Sequence, residues 1–88
     1  MPELTLVNPL RLRYAGAEVR VGETVYRALS ALRNSHGRLG SAKLCARVWG
    51  SPCSSTAVKG LVQRVNAALR KVGCPTRATR DRAMVRLV

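Results

Sequence analysis

Two kinds of hydrophobic pattern divide the chain. Near the N-terminus, apolar and polar residues alternate in LRLRY (10–14) and in AEVRV (17–21), and a period of two predicts half-buried strands. Ala15-Gly16 between these runs predicts a tight hairpin turn, and residues 4–7 form a candidate third strand. We therefore expect a small antiparallel sheet within residues 1–21.

Apolar residues at helical spacing follow in two further segments. The first predicts a helix over 22–35 that ends before Gly37, a residue that readily takes a positive φ. The second predicts a short helix over 41–49, with Ser41 as N-cap. Trp49 is expected in the core on its apolar face, together with Cys45.

A third helix is predicted over 54–72, capped by Ser54, Ser55 or Thr56 and ended by Gly73. Its apolar stripe leaves an opposite face that contains no acid, whereas solvated helices usually mix charges of both signs. Small residues on this face would let another surface approach closely. The face comprises Thr56, Lys59, Gly60, Gln63, Arg64, Ala67, Arg70 and Lys71.

The tail predicts a hairpin within 76–88, with strands over 76–79 and 83–88. Arg80-Asp81-Arg82 would form its basic tip. The expected class is α+β, with an N-terminal sheet, three helices and a C-terminal hairpin in one domain over residues 1–88.

Charge points to a class of partner. Sixteen Lys and Arg, thirteen of them Arg, stand against four Asp and Glu, which gives a net charge of +12. Such self-repulsion favours a polyanionic partner, and the guanidinium group suits phosphate. The alternative is an Arg-rich surface that serves only solvation. Nucleic acid is the favoured partner, and a membrane is not expected.

Other classes of function lack sequence support. No apolar run approaches the length of a membrane span, and MPELTLVNPL lacks the basic and apolar regions of a signal peptide. Three irregularly spaced cysteines and one histidine do not predict a metal site, so we expect reduced thiols. We expect no cofactor and no enzymatic activity, since no nucleophile–base motif is present.

The order of elements and several motifs resemble the DNA-binding effector domain of OmpR/PhoB-type response regulators, which is a winged helix-turn-helix. VYRALSALRNSHGRL is similar to that family's first helix and following turn, and LCARVWG to the end of its second helix. VKGLVQRVNAAL can be laid on its recognition helix. Met84-Val85-Arg86 stands where the family has Gly-Tyr-Arg. We expect no receiver domain.

The resemblance implies sequence-specific binding of double-stranded DNA by a small transcription regulator, bacterial or phage-encoded and cytoplasmic. The third helix would enter the major groove, with Arg64 on a position that contacts DNA in the family. The wing would contribute Thr79, Arg80 and Arg82. Arg38 and Lys43, near the start of the second helix, are weaker candidates for phosphate contacts.

Two other functions remain open at this point. One is binding of RNA, although exposed aromatic residues for stacking are few. The other is a protein-interaction module that docks on the transcription machinery through RNA polymerase. For DNA, a homodimer or tandem binding is expected where one module has insufficient affinity.

Overall fold

The computed structural model describes residues 3–51 and 53–88. Its strands form two separate three-stranded antiparallel sheets, ordered β1-β2-β3 and β4-β6-β5. The predicted α+β class is confirmed, and no helix in the described ranges is long and apolar enough to cross a membrane. The elements are β1 (Thr5–Val7), β2 (Arg11–Tyr14), β3 (Ala17–Arg20), α1 (Glu23–Asn34), β4 (Arg38–Gly40), α2 (Ser41–Trp49), α3 (Ser55–Lys71), β5 (Ala78–Asp81) and β6 (Met84–Leu87).

The N-terminal sheet is present as predicted. Tyr14 of β2 lies opposite Ala17 of β3, which leaves Ala15 and Gly16 as a two-residue turn with φ of 50° and 84°. Two successive positive φ angles are typical of the turn whose twist suits a hairpin. Leu12 on β2 is completely buried, so the alternation also predicted which face meets the core.

The three predicted helices are present, with ends within one residue of the predicted positions. Ser54 caps α3, because its Oγ accepts a hydrogen bond from the Ala57 N–H at 3.2 Å. The prediction that Ser41 caps α2 is wrong. Gly40 is the N-cap there and Ser41 is the first helical residue, because the chain enters α2 directly from β4.

The second sheet contains one strand that the hydrophobic pattern did not predict. β4 has only three residues and pairs with β6, with Leu39 opposite Val85. The Leu87 N–H extends this ladder by donating to the Gly37 carbonyl at 2.6 Å. The link between α1 and α2 is therefore fastened to the C-terminal hairpin.

The C-terminal hairpin is also present, but its turn lies later than predicted. Asp81 of β5 lies opposite Met84 of β6, so Arg82-Ala83 is the turn, and Arg80 and Asp81 belong to the strand. Contacts at the base of the hairpin set this register. The Arg77 N–H donates to the Val88 carbonyl at 3.0 Å, and the Val88 N–H donates to the Arg77 carbonyl at 2.8 Å.

One aliphatic core joins the helices to both sheets. Each helix contributes at least one leucine that is completely or almost completely buried, and each sheet contributes at least one buried aliphatic residue. They include Leu12, Leu29, Leu32, Leu44, Leu69 and Val85.

Two side-chain predictions are wrong. Trp49 is 42% exposed, because the buried stripe of α2 runs through Leu44, Cys45 and Val48 and Trp49 lies at its margin at about 100° per residue. The expectation of reduced thiols fails for Cys45 and Cys53, which are joined as a disulfide. Cys74 is a buried free thiol.

Candidate nucleic-acid interface

The exposed face of α3 is the centre of the candidate interface. Val58, Leu61, Val65 and Leu69 are the buried residues that hold the helix to the core. On the opposite side, Gly60 leaves open space, since an added Cβ would meet nothing within 4 Å. The remaining predicted contact residues of this helix are all exposed, namely Thr56, Lys59, Gln63, Arg64, Ala67, Arg70 and Lys71.

The C-terminal hairpin (β5–β6) is fastened to one side of α3 by side-chain hydrogen bonds to the backbone. The Asn66 Nδ2 donates to the Ala78 carbonyl at 2.9 Å, and the Ala78 N–H donates to the Asn66 Oδ1 at 2.7 Å. Nearer the start of the helix, the Arg80 guanidinium donates to the Ser55 carbonyl at 2.8 Å. The helix and the hairpin are thus held together at two points and present a joint surface.

A groove of about 340 Å³ separates the hairpin turn from the first residues of α2 and α3. Arg80 and Arg82 are among its lining residues, with Cys53 and Ser55 on the helix side. Arg82 has a φ of 55° at the turn and is exposed. Both predicted wing arginines therefore lie beside the start of α3.

Thr79 and Arg38 lie on the other face of the hairpin sheet. Arg86 of β6 is opposite Thr79 on one side and opposite Arg38 on the other. Successive residues along a strand point to opposite faces of the sheet. Thr79, Arg86 and Arg38 therefore lie on the face opposite to the one that carries Arg80. The structure does not bring Thr79 and Arg38 together with α3, and Lys43 lies exposed in the first turn of α2.

The sheet-facing side of α3 adds a residue that the sequence did not single out. Ala67 and Lys71 line a groove of about 160 Å³ against β3, and Arg20 lies on its far side. Arg20 extends the basic surface of α3 onto the N-terminal sheet. Its position in an alternating strand predicts exposure, but only the tertiary structure places it across this groove from Lys71.

Asn66 and Arg86 are the other residues that sequence reasoning missed. An Asn in the middle of a predicted helix is a usable signal in the sequence, because such a side chain competes with the helix backbone unless it has another partner. Arg86 has no comparable signal, because it became adjacent to Arg38 only through pairing with the unpredicted β4.

Charge is distributed unequally along the chain. Residues 1–40 contain six arginines and three glutamates, whereas residues 41–88 contain ten Lys and Arg and only Asp81 as an acid. The ion pairs of the described residues all involve a glutamate of the first group. Glu18 pairs with Arg13 at 3.0 Å and with Arg11 at 3.5 Å, Glu23 with Arg27, and Glu3 with Arg33.

This distribution concentrates uncompensated positive charge on α3 and the hairpin, where it raises the local concentration of anionic ligands. Across residues 3–51 and 53–88, no three His, Cys, Asp or Glu side chains are grouped in a way that could hold a metal ion. No family model, curated protein or solved structure matches the chain. The candidate interface rests on the chain's own geometry and charge.

Proposed function

We propose that the chain is a winged-helix module that binds double-stranded DNA sequence-specifically and acts as a small cytoplasmic transcription regulator. In this arrangement α3 lies in the major groove of the DNA, and the β5–β6 hairpin lies along the DNA backbone or enters the minor groove. The observation that carries the proposal is the acid-free exposed face of α3, fastened directly beside the arginine-bearing hairpin.

The dimensions of α3 suit this role. Its 17 residues form a helix about 25 Å long, and the major groove of B-DNA is wide enough for one helix. Gly60 and Ala67 have no side chain or a small one, so base edges can approach the helix closely at these positions. Bulky side chains at both sites would keep the helix axis farther from the bases.

The polar residues of the face fit two kinds of contact. Gln63 and Arg64 have side chains that can form paired hydrogen bonds, Arg with guanine and Gln with adenine, and Lys59 can also contact guanine. Arg70 and Lys71 at the end of the helix suit phosphate oxygens, which position a protein without reading sequence. Arg80 and Arg82 supply the corresponding contacts from the hairpin.

Selection of bound duplexes from a random pool tests the proposal. We expect one enriched motif, and the spacing of its repeats would reveal a dimer or tandem binding. Six phosphate contacts would give a slope of log K against log salt of about −5. Absence of binding to any duplex at about 50 mM salt would contradict the proposal, since non-specific contacts should persist there.

An Arg64→Ala variant tests the base contact. We expect a loss of about 1–3 kcal/mol in binding and a relaxed preference at one base pair. Arg33→Ala is the matched control, because it removes an equal charge from α1, where Arg33 pairs with Glu3. Equal weakening on every sequence would make Arg64 a phosphate contact, and preferential competition by an RNA duplex would make RNA the ligand.

Docking on RNA polymerase is a second candidate function, favoured by the 42% exposure of Trp49. Tryptophan is enriched among the residues that dominate protein–protein binding. Binding to purified polymerase after nuclease treatment tests it. We expect Trp49→Ala to abolish such binding while Arg64→Ala preserves it, and the reverse pattern would assign the contact to nucleic acid.

A further inference from the structure

Cys45 and Cys53 differ in their access to solvent. Cys45 lies in α2 and is 1% exposed, whereas Cys53 is half-buried and lines the groove between the hairpin turn and the start of α3. Their Cα atoms are 5.9 Å apart, a separation that suits a disulfide. Cys53 is therefore the more accessible of the two cysteines to a dissolved thiol or disulfide.

Cys53 also lies immediately before the contacts that order the start of α3. The next residue, Ser54, caps the helix by accepting hydrogen bonds from Ala57 through its Oγ and from Val58 through its carbonyl, at 3.2 and 3.1 Å. The carbonyl of Ser55 accepts the hydrogen bond from Arg80 of the hairpin. The bond from Cys53 to Cys45 of α2 therefore restrains the backbone next to Ser54 and Ser55, the residues that make these contacts.

We propose that Cys45 and Cys53 form a reversible redox site that controls the order of the first turn of α3 and, through it, DNA binding. The effect on DNA rests on the proposed function. Disulfides inside cells are usually transient and redox-sensing rather than structural, which fits a protein that acts on DNA. The oxidised form is the one with the capped helix and the docked hairpin.

The chemistry is thiol–disulfide exchange with a small-molecule disulfide, such as glutathione disulfide. The Cys53 thiolate attacks one sulfur of the reagent and releases one thiolate, which gives a mixed disulfide on Cys53. The Cys45 thiol then loses its proton and attacks the Cys53 sulfur, which releases the second thiolate. Two electrons pass from the cysteines to the reagent, and a dithiol reverses both steps.

Counting free thiols in the unfolded full-length chain tests the site itself. After incubation with glutathione disulfide we expect one free thiol, Cys74, and after dithiothreitol we expect three. A Cys74→Ala variant should give none and two. Three free thiols in the wild type after oxidation would overturn the proposal, whatever the DNA measurements show.

Hydrogen exchange and DNA titration test the control of α3. Reduction should lower the protection of the Ala57 and Val58 amides and weaken duplex binding about fivefold, the equivalent of losing one helix cap. After treatment with glutathione disulfide, Cys53→Ser should have the amide protection and duplex affinity of the reduced wild type, and dithiothreitol should change neither. Cys74→Ala should retain the redox response.

The outcomes separate the two proposals. Equal protection of the Ala57 and Val58 amides in both redox states would overturn the control of α3, even if the disulfide forms. An affinity for duplex that stays constant between redox states would overturn the control of DNA binding. If thiol counts and amide protection change as expected but neither state binds any duplex, the redox site stands and the proposed function fails.

Discussion

Arg11 and Arg13 on β2 and Lys59 and Arg64 on α3 are all exposed basic residues, but their surroundings differ. The two β2 arginines share Glu18 on the neighbouring strand. Lys59 and Arg64 take part in none of the ion pairs found among the described residues. Glu18 partly compensates the charge of the two β2 arginines, whereas no acid pairs with Lys59 or Arg64 among the described residues.

The comparison separates structural arginines from binding candidates. An exposed ion pair contributes little to stability, but it reduces the potential that the sheet presents to anions. The like charges of α3 repel one another when the protein is alone, and an anionic partner would remove that cost. Net charge alone could not make this distinction, since both regions are rich in arginine.

Charge reversal should have the largest effect. We expect Lys59→Glu with Arg64→Glu to weaken duplex binding about 100-fold, because two contacts are lost and two repulsions appear near the phosphates. Arg11→Glu with Arg13→Glu changes the net charge equally but should cost only about threefold, since separated charges are screened over about 8 Å. Fluorescence anisotropy at about 0.15 M salt, close to physiological ionic strength, measures both affinities. Equal losses would mean that net charge matters and the face of α3 does not.

Asn66→Ala should loosen the joint between α3 and the hairpin. The change leaves the N–H and the carbonyl of Ala78 without the partners seen at 2.7 and 2.9 Å, and should lower the free energy of unfolding by about 2 kcal/mol. Urea denaturation measures the loss. Gln63→Ala, which alters an exposed side chain on the same helix, should change it by less than about 0.5 kcal/mol. Similar values for the two variants would remove the role of Asn66.

Gly60→Ala should move stability and DNA affinity in opposite directions. An added methyl group meets nothing within 4 Å, and Ala in a helix should stabilise the fold by about 0.5–1 kcal/mol. The same methyl group would project from the exposed face of α3 and keep the helix farther from the DNA bases, so duplex binding should weaken. Thermal denaturation and anisotropy on one sample test both signs, and greater stability with unchanged affinity would place Gly60 outside the interface.

Glu18→Gln should have the smallest effect. Removing the shared partner of Arg11 and Arg13 should lower stability by no more than about 1 kcal/mol, since the pairs are exposed. Duplex affinity should remain within about twofold despite the additional positive charge, because Glu18, Arg11 and Arg13 are not among the residues of the proposed interface. A marked increase in affinity would show that Glu18 masks a second binding surface.

Several local features could be predicted because they depend on neighbours in sequence. The alternation in β2 and β3 and Gly16 in their turn depend on contacts within a few residues. The same holds for the cap of α3, for which the sequence offers Ser54, Ser55 and Thr56 and the structure uses Ser54. The exposed face of α3 was predictable for the same reason, since a buried stripe at helical spacing defines its opposite side.

Features that depend on distant partners were missed or misplaced. β4 has three residues and no periodic signal, and it is a strand only because β6 pairs with it. The hairpin turn lies at Arg82-Ala83, later than predicted, because hydrogen bonds to Asn66 and Val88 hold the base of β5 in one register. The apolar pattern of α2 predicts a buried Trp49, which is 42% exposed, because the pattern does not show how far a buried stripe extends around the helix.

By itself, the sequence determined the α+β class, the three helices and the acid-free face of α3. The spacing of apolar residues and the absence of acids on this face can both be read from the sequence. Only the tertiary structure decided that Arg80 docks on α3 while Thr79 faces away, that Arg20 lies across a groove from Lys71, and that Cys53 meets Cys45. Each of these depends on strand register or on where the chain turns back, and both are set by contacts between residues far apart in sequence.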